Sequence, residues 1–425
     1  MILRASTFSP RRLRGEIALP GDKSISHRAV ILATASVVPT SIEHLNPGRD
    51  LRATIGAVRS LGATIEESGS ELRVAGGELR NADGTIDAMN SGSTARMMLG
   101  VCTGANLHAH IDGDDSLRRR PMEPVAAHLR ALGARIESTQ GHLPVRIEGA
   151  EANASGHLIL VEPSAQIKSA LLFAALFAGR PLRISGDRYS RDHTERMLAG
   201  MGAGISWNGR EIDLYRPQIH GGASLTIPGD ISAAAFFIVG ATLSPGSALL
   251  LRNVNVNPTR TGLLDALQAM GARIELRESR EHFGEPVADI FVESARLHAT
   301  SVDAATSLRA IDELPLLAVA AAFAEGTTKI VGVRELQSKE SDRLAAIHRL
   351  LNSVAIRAED IPNGIEIHGG SPKGTDTIVE THDDHRIQMA GAILGCAAGP
   401  VRIDSTDGID VSFPTFLATL ESVSR

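Results

Sequence analysis

Aromatic residues are scarce in this chain. Phe, Tyr and Trp make up 3% of 425 residues, with a single Trp and two Tyr. Apolar residues still total 43%, so the core has to be packed from Leu, Ile, Val, Ala and Met. Cysteine is nearly absent, and Cys102 and Cys396 stand far apart, which excludes a disulfide framework and a thiolate zinc site. Cys102 falls in an apolar helical pattern and reads as buried packing. Positive charge is in deficit, with 43 Lys and Arg against 49 Asp and Glu. A general nucleic-acid binder shows a basic surface, so no nucleic-acid partner is expected. Long apolar runs are missing too: "LPLLAVAAAFA" (314–324) is too short to span a bilayer, and no membrane partner is expected. The first 22 residues lack the continuous apolar stretch of a signal peptide. These absences leave a soluble, cytoplasmic protein of two or three domains.

What the chain has is internal repetition. "SLGATIE" (60–66), "ALGARIE" (131–137), "GMGAGIS" (200–206) and "AMGARIE" (269–275) share one pattern, centred on Gly62, Gly133, Gly202 and Gly271. The spacings are 133−62=71, 202−133=69 and 271−202=69. A weaker fifth copy, "LLNSVAIRAE" (350–359), carries Ser353 at the glycine position. Each copy reads as a helix ending at a residue with positive φ, which glycine tolerates, followed by a strand. A second marker interleaves with the first: an apolar helix, a turn at Gly104, Gly179, Gly246, Gly326 or Gly399, then an apolar strand. "ATASVVPTSIEHL" (33–45) supplies a first copy with Pro at the turn. Six units of about 70 residues result. "LPGD" (19–22) recurs as "IPGD" (227–230), and 229−21=208 is close to three periods. The chain therefore reads as two halves of three units each, and a cleft between them is the expected place for a ligand.

The polar motifs cluster before apolar helices. "GDKSISHR" (21–28) sets Lys23, Ser24 and Arg28 where a helix should begin, so cations, a hydroxyl and free backbone N–H groups can meet one anion. It is not a Walker A loop, because Asp22 separates Gly21 from Lys23. A Ser N-cap flanked by solvated cations describes the same stretch equally well. "MNSGSTARMM" (89–98) offers Gly92 for close backbone approach, with Asn90, Ser91 and Ser93 as ligand groups or caps. "DDSLRRRPM" (114–122) carries three arginines, most of them expected to be solvated and one to point inward. "EPSAQIKSALLFAAL" (162–176) brings Ser164 and Gln166, and "GDRYSRDHTERM" (186–197) brings Ser190, Arg191 and His193. In "SKESDRL" (338–344), Lys339 and Arg343 share a face if that stretch is helical, and together they favour an anion. "THDDHR" (381–386) has metal-ligand residue types at a spacing that suits no common site, so no metal is expected. The collected set suits ligands carrying several phosphate or carboxylate groups.

These motifs, in this order and over nearly the whole chain, resemble the 5-enolpyruvylshikimate-3-phosphate synthase family of enolpyruvyl transferases. "LPGDKSISHR", "NSGSTAR", "RRRPM", "SAQIKSA", "SRDHTERM", "IDELP", "SKESDRL" and "DDHR" carry the resemblance. It implies an α/β (α+β) fold of the inside-out α/β-barrel kind, with two domains that each hold three βαβαββ repeats about a pseudo-threefold axis. Residues 1–20 with 229–425 would form one domain and residues 21–228 the other, with the active site in the cleft between them. The implied reaction moves the enolpyruvyl (1-carboxyvinyl) group of phosphoenolpyruvate to the 5-hydroxyl of shikimate 3-phosphate, with release of phosphate. That step lies on the shikimate pathway to chorismate and aromatic amino acids. By resemblance, Lys23, Ser24, Arg28, Ser164, Ala165, Gln166, Ser190, Arg191, Asp312 and Lys339 bind shikimate 3-phosphate. Lys23, Gly92, Arg120, Gln166, Arg343 and Arg386 hold phosphoenolpyruvate, which selects Arg120 from the three arginines. Asp312 is the candidate acceptor of the hydroxyl proton, Glu340 the candidate for proton traffic at the methylene carbon, and Lys23 an assisting acid. No cofactor is implied, a monomer is expected, and glyphosate is the inhibitor to consider.

The chain departs from one branch of the family at Ala165, His193 and Val411, where that branch has Ser, Tyr and Lys. "SAQIKSA" and "SRDHTE" resemble the other bacterial branch. Two rival readings remain: the related transferase acting on UDP-N-acetylglucosamine, which typically has Lys-Asn where this chain has Lys23-Ser24, and a non-catalytic binder of phosphorylated metabolites. The binder needs the cations but not Asp312 and Glu340.

Overall fold

A helix with little polar surface along its length has to lie inside a domain. Six helices among the described residues are of that kind: Lys23–Ala33, Gly92–Gly104, Ala165–Ala178, Ile231–Leu243, Leu314–Ala322 and His385–Ala398. Every residue of Ile231–Leu243 and of Leu314–Ala322 is buried, as are residues 25–33, 167–176 and 385–396 of three others. The computed structural model describes residues 6–149, 156–222 and 224–424. The chain divides into two compact units. One comprises Gly21–Ile227 with Glu281–Glu285, and the other Met1–Pro20, Pro228–Arg280 and Pro286–Arg425. The division falls inside "LPGD" and just before "PGD" of the second copy. Each unit has its own hydrophobic core, built around three of the six helices.

The architecture is mixed α/β, with six small sheets among the described residues. In the 21–227 unit, three four-stranded sheets share one design. Thr40–Glu43 pairs in parallel with Ser224–Thr226 and antiparallel with Glu71–Ala75, which pairs antiparallel with Thr64–Ser68. Ala109–Asp112 stands in the same way beside Thr85–Asp87, with His142–Glu148 and Arg135–Thr139. Leu182–Ser185 does so beside Gly156–Ile159, with Glu211–Arg216 and Gly204–Trp207. The other unit repeats the design around Thr327–Val331. A further sheet is centred on Ala248–Asn255 and Glu285–Glu293. Its third sheet is reduced to three strands, Ser6–Phe8, Val401–Ile403 and Ile378–Val379.

The repeat glycines sit where positive φ is needed, at +95° for Gly62, +94° for Gly133, +91° for Gly202 and +95° for Gly271. The fifth copy is offset. Its positive-φ residue is Ala355 (φ 60°), not Ser353, which is the helix C-cap in the αR region. The hydrogen bonds confirm the equivalence: Ile356 N reaches Leu351 O as Ala63 N reaches Val58 O. Among the turn glycines, Gly179, Gly246, Gly326 and Gly399 have positive φ, whereas at the Gly104 turn Asn106 takes the left-handed conformation (φ 57°). Gly104 instead serves packing. A Cβ there would lie 2.3 Å from Ala174 O, and one at Gly100 would lie 2.0 Å from Ala170 O, so both permit close approach of Gly92–Gly104 to Ala165–Ala178.

Within each unit the starts of the three buried helices are tied together. Gln166 Nε2 donates to Ser93 Oγ (3.1 Å) and Arg28 Nη2 to Ser169 Oγ (2.8 Å). In the other unit Ser232 Oγ donates to Glu313 Oε1, which lies 3.5 Å from Arg386 Nη1. Helix N-termini carry partial positive charge and unsatisfied N–H groups, so each unit gathers three such ends in one place.

Two substitutions test this packing by chemical denaturation. Gly100→Ala is expected to destabilise by about 1–3 kcal/mol, because the new methyl meets backbone that cannot yield cheaply. Ala355→Gly is expected to stabilise by about 1 kcal/mol by relieving the left-handed alanine. A neutral Gly100→Ala would contradict the close helix contact.

Candidate active site

In the 21–227 unit the site begins at the Lys23–Ala33 helix. Its cap is Asp22, which accepts from Ile25 N at 2.9 Å, so Ser24 is not the capping residue that the sequence left open. Lys23 Nζ lies 2.8 Å from Asp50 Oδ2, with both side chains largely buried. Arg28 is 4% exposed. It donates to Thr194 Oγ1, Ser24 O and Ser169 Oγ, each at 2.8 Å. These acceptors are neutral. Burial pulls the Arg28 guanidinium down to about 10, against the opposing charges of Glu195 and Asp22. The neighbouring His27 is driven well below its usual range by burial and then by Lys23 and Arg28, so it is neutral, and its Nδ1 bonds Thr54 Oγ1 at 2.6 Å.

The second buried helix starts at Gly92, capped by Ser91, which accepts from Thr94 N. A Cβ on Gly92 would lie 2.7 Å from Arg96 Nη1 and 3.5 Å from Arg120 Nη1. The glycine therefore brings backbone up against two guanidinium groups. Arg120 is buried and donates to Asn90 Oδ1 at 2.6 Å. Arg118 is exposed and spent on Asp112, and Arg119 is exposed. Arg96 donates to Gln166 Oε1 at 2.6 Å, and Ser164 caps the third helix by accepting from Ile167 N at 3.4 Å. Gln166 thus bridges Arg96 and Ser93. Ala165 opens the same helix. Ser190 and Arg191 lie in the irregular stretch before His193–Gly200, with Ser190 buried.

In the other unit Arg343 is the hub. Its side chain is 1% exposed, and its Nε donates to Asp384 Oδ2 at 2.9 Å. Glu340 Oε2 lies 2.5 Å from Arg343 Nη2, and Asp312 Oδ1 lies 3.5 Å from Nη1. Arg386 completes the group, with Nη2 3.6 Å from Asp312 Oδ2 and Nη1 donating to Asp312 O at 3.1 Å. Burial pulls the Arg343 guanidinium down, but Asp384, Glu340 and Asp312 more than offset this and hold it charged. Burial likewise pushes the Asp384 carboxyl up, and Arg343 outweighs that and keeps it ionised. Asp384 also caps its helix by accepting from Arg386 N at 3.0 Å. Lys339 is a correction. It follows a 3-10 turn, Arg334–Ser338, while the helix begins only at Arg343, so the two cations do not share a helical face. Lys339 pairs with Glu335 instead.

Sequence reasoning missed Arg96, Asp50, Glu313 and Asp384. Arg96 was visible as the last residue of "NSGSTAR", four places after Gly92. The pairing of Asp384 with Arg343 spans 41 residues and has no local signal.

The fold is shared with the enolpyruvyl transferase NikO from Streptomyces tendae, at TM-score 0.77 and 16% identity, over 99% of this chain and 97% of that one. EPSP synthase from Acinetobacter baumannii matches more closely, at TM-score 0.88 and 35% identity over 99% and 98% of the two chains. The 3-phosphoshikimate 1-carboxyvinyltransferase of Desulforudis audaxviator is 44% identical over 97% of each chain. The model of the EPSP synthase (3-phosphoshikimate 1-carboxyvinyltransferase) family matches residues 8–420. This chain belongs to that family.

No helix among the described residues is long and apolar enough to cross a membrane. Both cysteines are buried, and burial pushes the Cys102 thiol up to about 12 and the Cys396 thiol up to about 11. A thiol so protonated is no nucleophile at neutral pH. Neither cysteine should react with a thiol reagent at about pH 8 in the folded protein, and both should react after denaturation. Rapid labelling of native Cys102 with loss of turnover would overturn that assignment.

Proposed function

We propose that the two residue groups act on one pair of substrates and carry out the family's reaction: transfer of the 1-carboxyvinyl group of phosphoenolpyruvate to the 5-hydroxyl of shikimate 3-phosphate. Lys23, Ser24, Arg28, Ser164, Ala165, Gln166, Ser190, Arg191, Asp312 and Lys339 hold shikimate 3-phosphate. Lys23, Gly92, Arg120, Gln166, Arg343 and Arg386 hold phosphoenolpyruvate. The new C–O bond forms as the hydroxyl loses its proton to Asp312 and the methylene carbon gains one with the help of Glu340. Breaking the bond to the phosphate oxygen then expels phosphate, and loss of a methyl proton restores the double bond. Lys23 assists as an acid. The cations lower the cost of bringing two polyanions together and meet the charge that develops at the leaving phosphate.

One observation carries this reading. Asp312 and Glu340, the two proposed proton carriers, both contact the guanidinium of Arg343, a proposed phosphoenolpyruvate ligand. Acid/base groups and anion-binding charge are therefore a single cluster, which a simple metabolite binder has no need to build. The reading extends to the architecture. The shared sheet design and the positive-φ glycines support three pseudo-symmetric βαβαββ repeats in each domain, in the inside-out barrel arrangement. The protein acts as a cytoplasmic monomer without a cofactor, on the pathway to chorismate and the aromatic amino acids.

Phosphate release with both substrates present tests the roles. Asp312→Asn and Glu340→Gln should each lower kcat by about 10²–10⁴-fold, the usual contribution of positioned proton transfer. Near-parental turnover in both variants would remove the acid/base assignment.

A further inference from the structure

Lys168 takes no part in the chemistry above, yet it is one of the most deeply placed charges in the molecule. It lies in the first turn of the Ala165–Ala178 helix, with 1% of its side chain exposed. Its Nζ sits 2.9 Å from Asp187 Oδ2 and 2.7 Å from Glu195 Oε1, and it donates to Ser190 O at 3.2 Å. Both carboxylates are as buried as the lysine. The ammonium donates to Asp187 Oδ2 and Ser190 O, and Glu195 Oε1 stands against it as an ion pair. Burying such a group of ions is costly, and apolar residues of the same volume fill space at least as stably. Stability alone therefore does not account for it.

What the cluster holds is more informative. Two of the three acceptors lie in the irregular stretch 186–192, which carries Ser190 and Arg191. The third, Glu195, lies in the first turn of the His193–Gly200 helix. The neighbouring residue on each helix repeats the link: Ser169 and Thr194 hydroxyls are 2.7 Å apart, and both accept from Arg28. Lys168–Glu195 and Ser169–Thr194 thus form two adjacent rungs between the same helices, and the second rung is the cradle of Arg28.

We propose that Lys168 is a positioning residue: it pins the 187–190 stretch and the start of the His193–Gly200 helix, and so sets Arg28, Ser190 and Arg191 in register for shikimate 3-phosphate. The inference rests on the assignment of those three residues made above. It is a claim about ligand geometry, with no demand on the chemical step.

Lys168→Met alone strands two buried carboxylates and is expected to unfold readily. The informative variant is Lys168→Met/Asp187→Asn/Glu195→Gln, which removes all three charges at nearly constant shape. It should fold, with a melting temperature within about 5 °C of the parent. Its Kd for shikimate 3-phosphate, by calorimetry, should weaken at least about tenfold, the scale of a misplaced charged hydrogen bond. Its kcat at saturating substrate should stay within about threefold. Parental affinity overturns the proposal, and so does failure to fold, which would make the cluster a stability element. Arg28→Ala is the control. If it loses affinity while the triple variant does not, only the role of Lys168 falls. If Arg28→Ala binds as tightly as the parent, the assignment beneath it falls as well.

Discussion

The structure depends on one constraint: a helix buried along its length can do polar chemistry only at its ends. Six such helices stand at the centre of the two cores. In each unit, hydrogen bonds join the starts of three of them. Four kinds of side chain follow from that placement. Asp22, Ser91, Ser164, Asp230 and Asp384 cap the ends. Gly92 opens space. Arg28, Arg120, Arg343 and Arg386 add full charges to the partial charges of the helix ends. Asp312 and Glu340 lie against Arg343, and Asp312 also faces Arg386.

Buried arginine gives the arrangement its precision. A guanidinium keeps its charge even when water is removed, and its planar fork fixes direction as well as distance. Arg343 holds two carboxylates and is itself held by a third, Asp384. Arg28 is treated differently: its contacts are hydroxyls and a carbonyl, and burial lowers its hold on the proton. A cation supported by neutral oxygens has charge left for a ligand.

Much of this was legible in the sequence, for physical reasons. Gly62, Gly133, Gly202 and Gly271 stand out because few other residues tolerate φ near +95°. The fifth copy misled because Ala355 adopts the same conformation without the glycine that signals it. Gly104 misled because glycine has two uses, and here close helix packing took precedence over turn formation. The polar motifs were readable as helix starts, although the capping role of Asp22 rather than Ser24 emerged only from geometry. Asp384 with Arg343, and Lys168 with Glu195, were not readable, since a pairing between distant segments leaves no trace in local spacing. The resemblance to a family supplied the substrate, which no pattern of charges specifies by itself.

The central proposal is that the two residue groups act on one pair of substrates. A crystal structure with shikimate 3-phosphate bound tests it most directly. The account predicts one bound molecule, held by Arg28, Ser164, Ser190 and Arg191, with its 5-hydroxyl within hydrogen-bond distance of Asp312. A molecule held by residues of the 21–227 unit alone, with Asp312 out of reach, would contradict it.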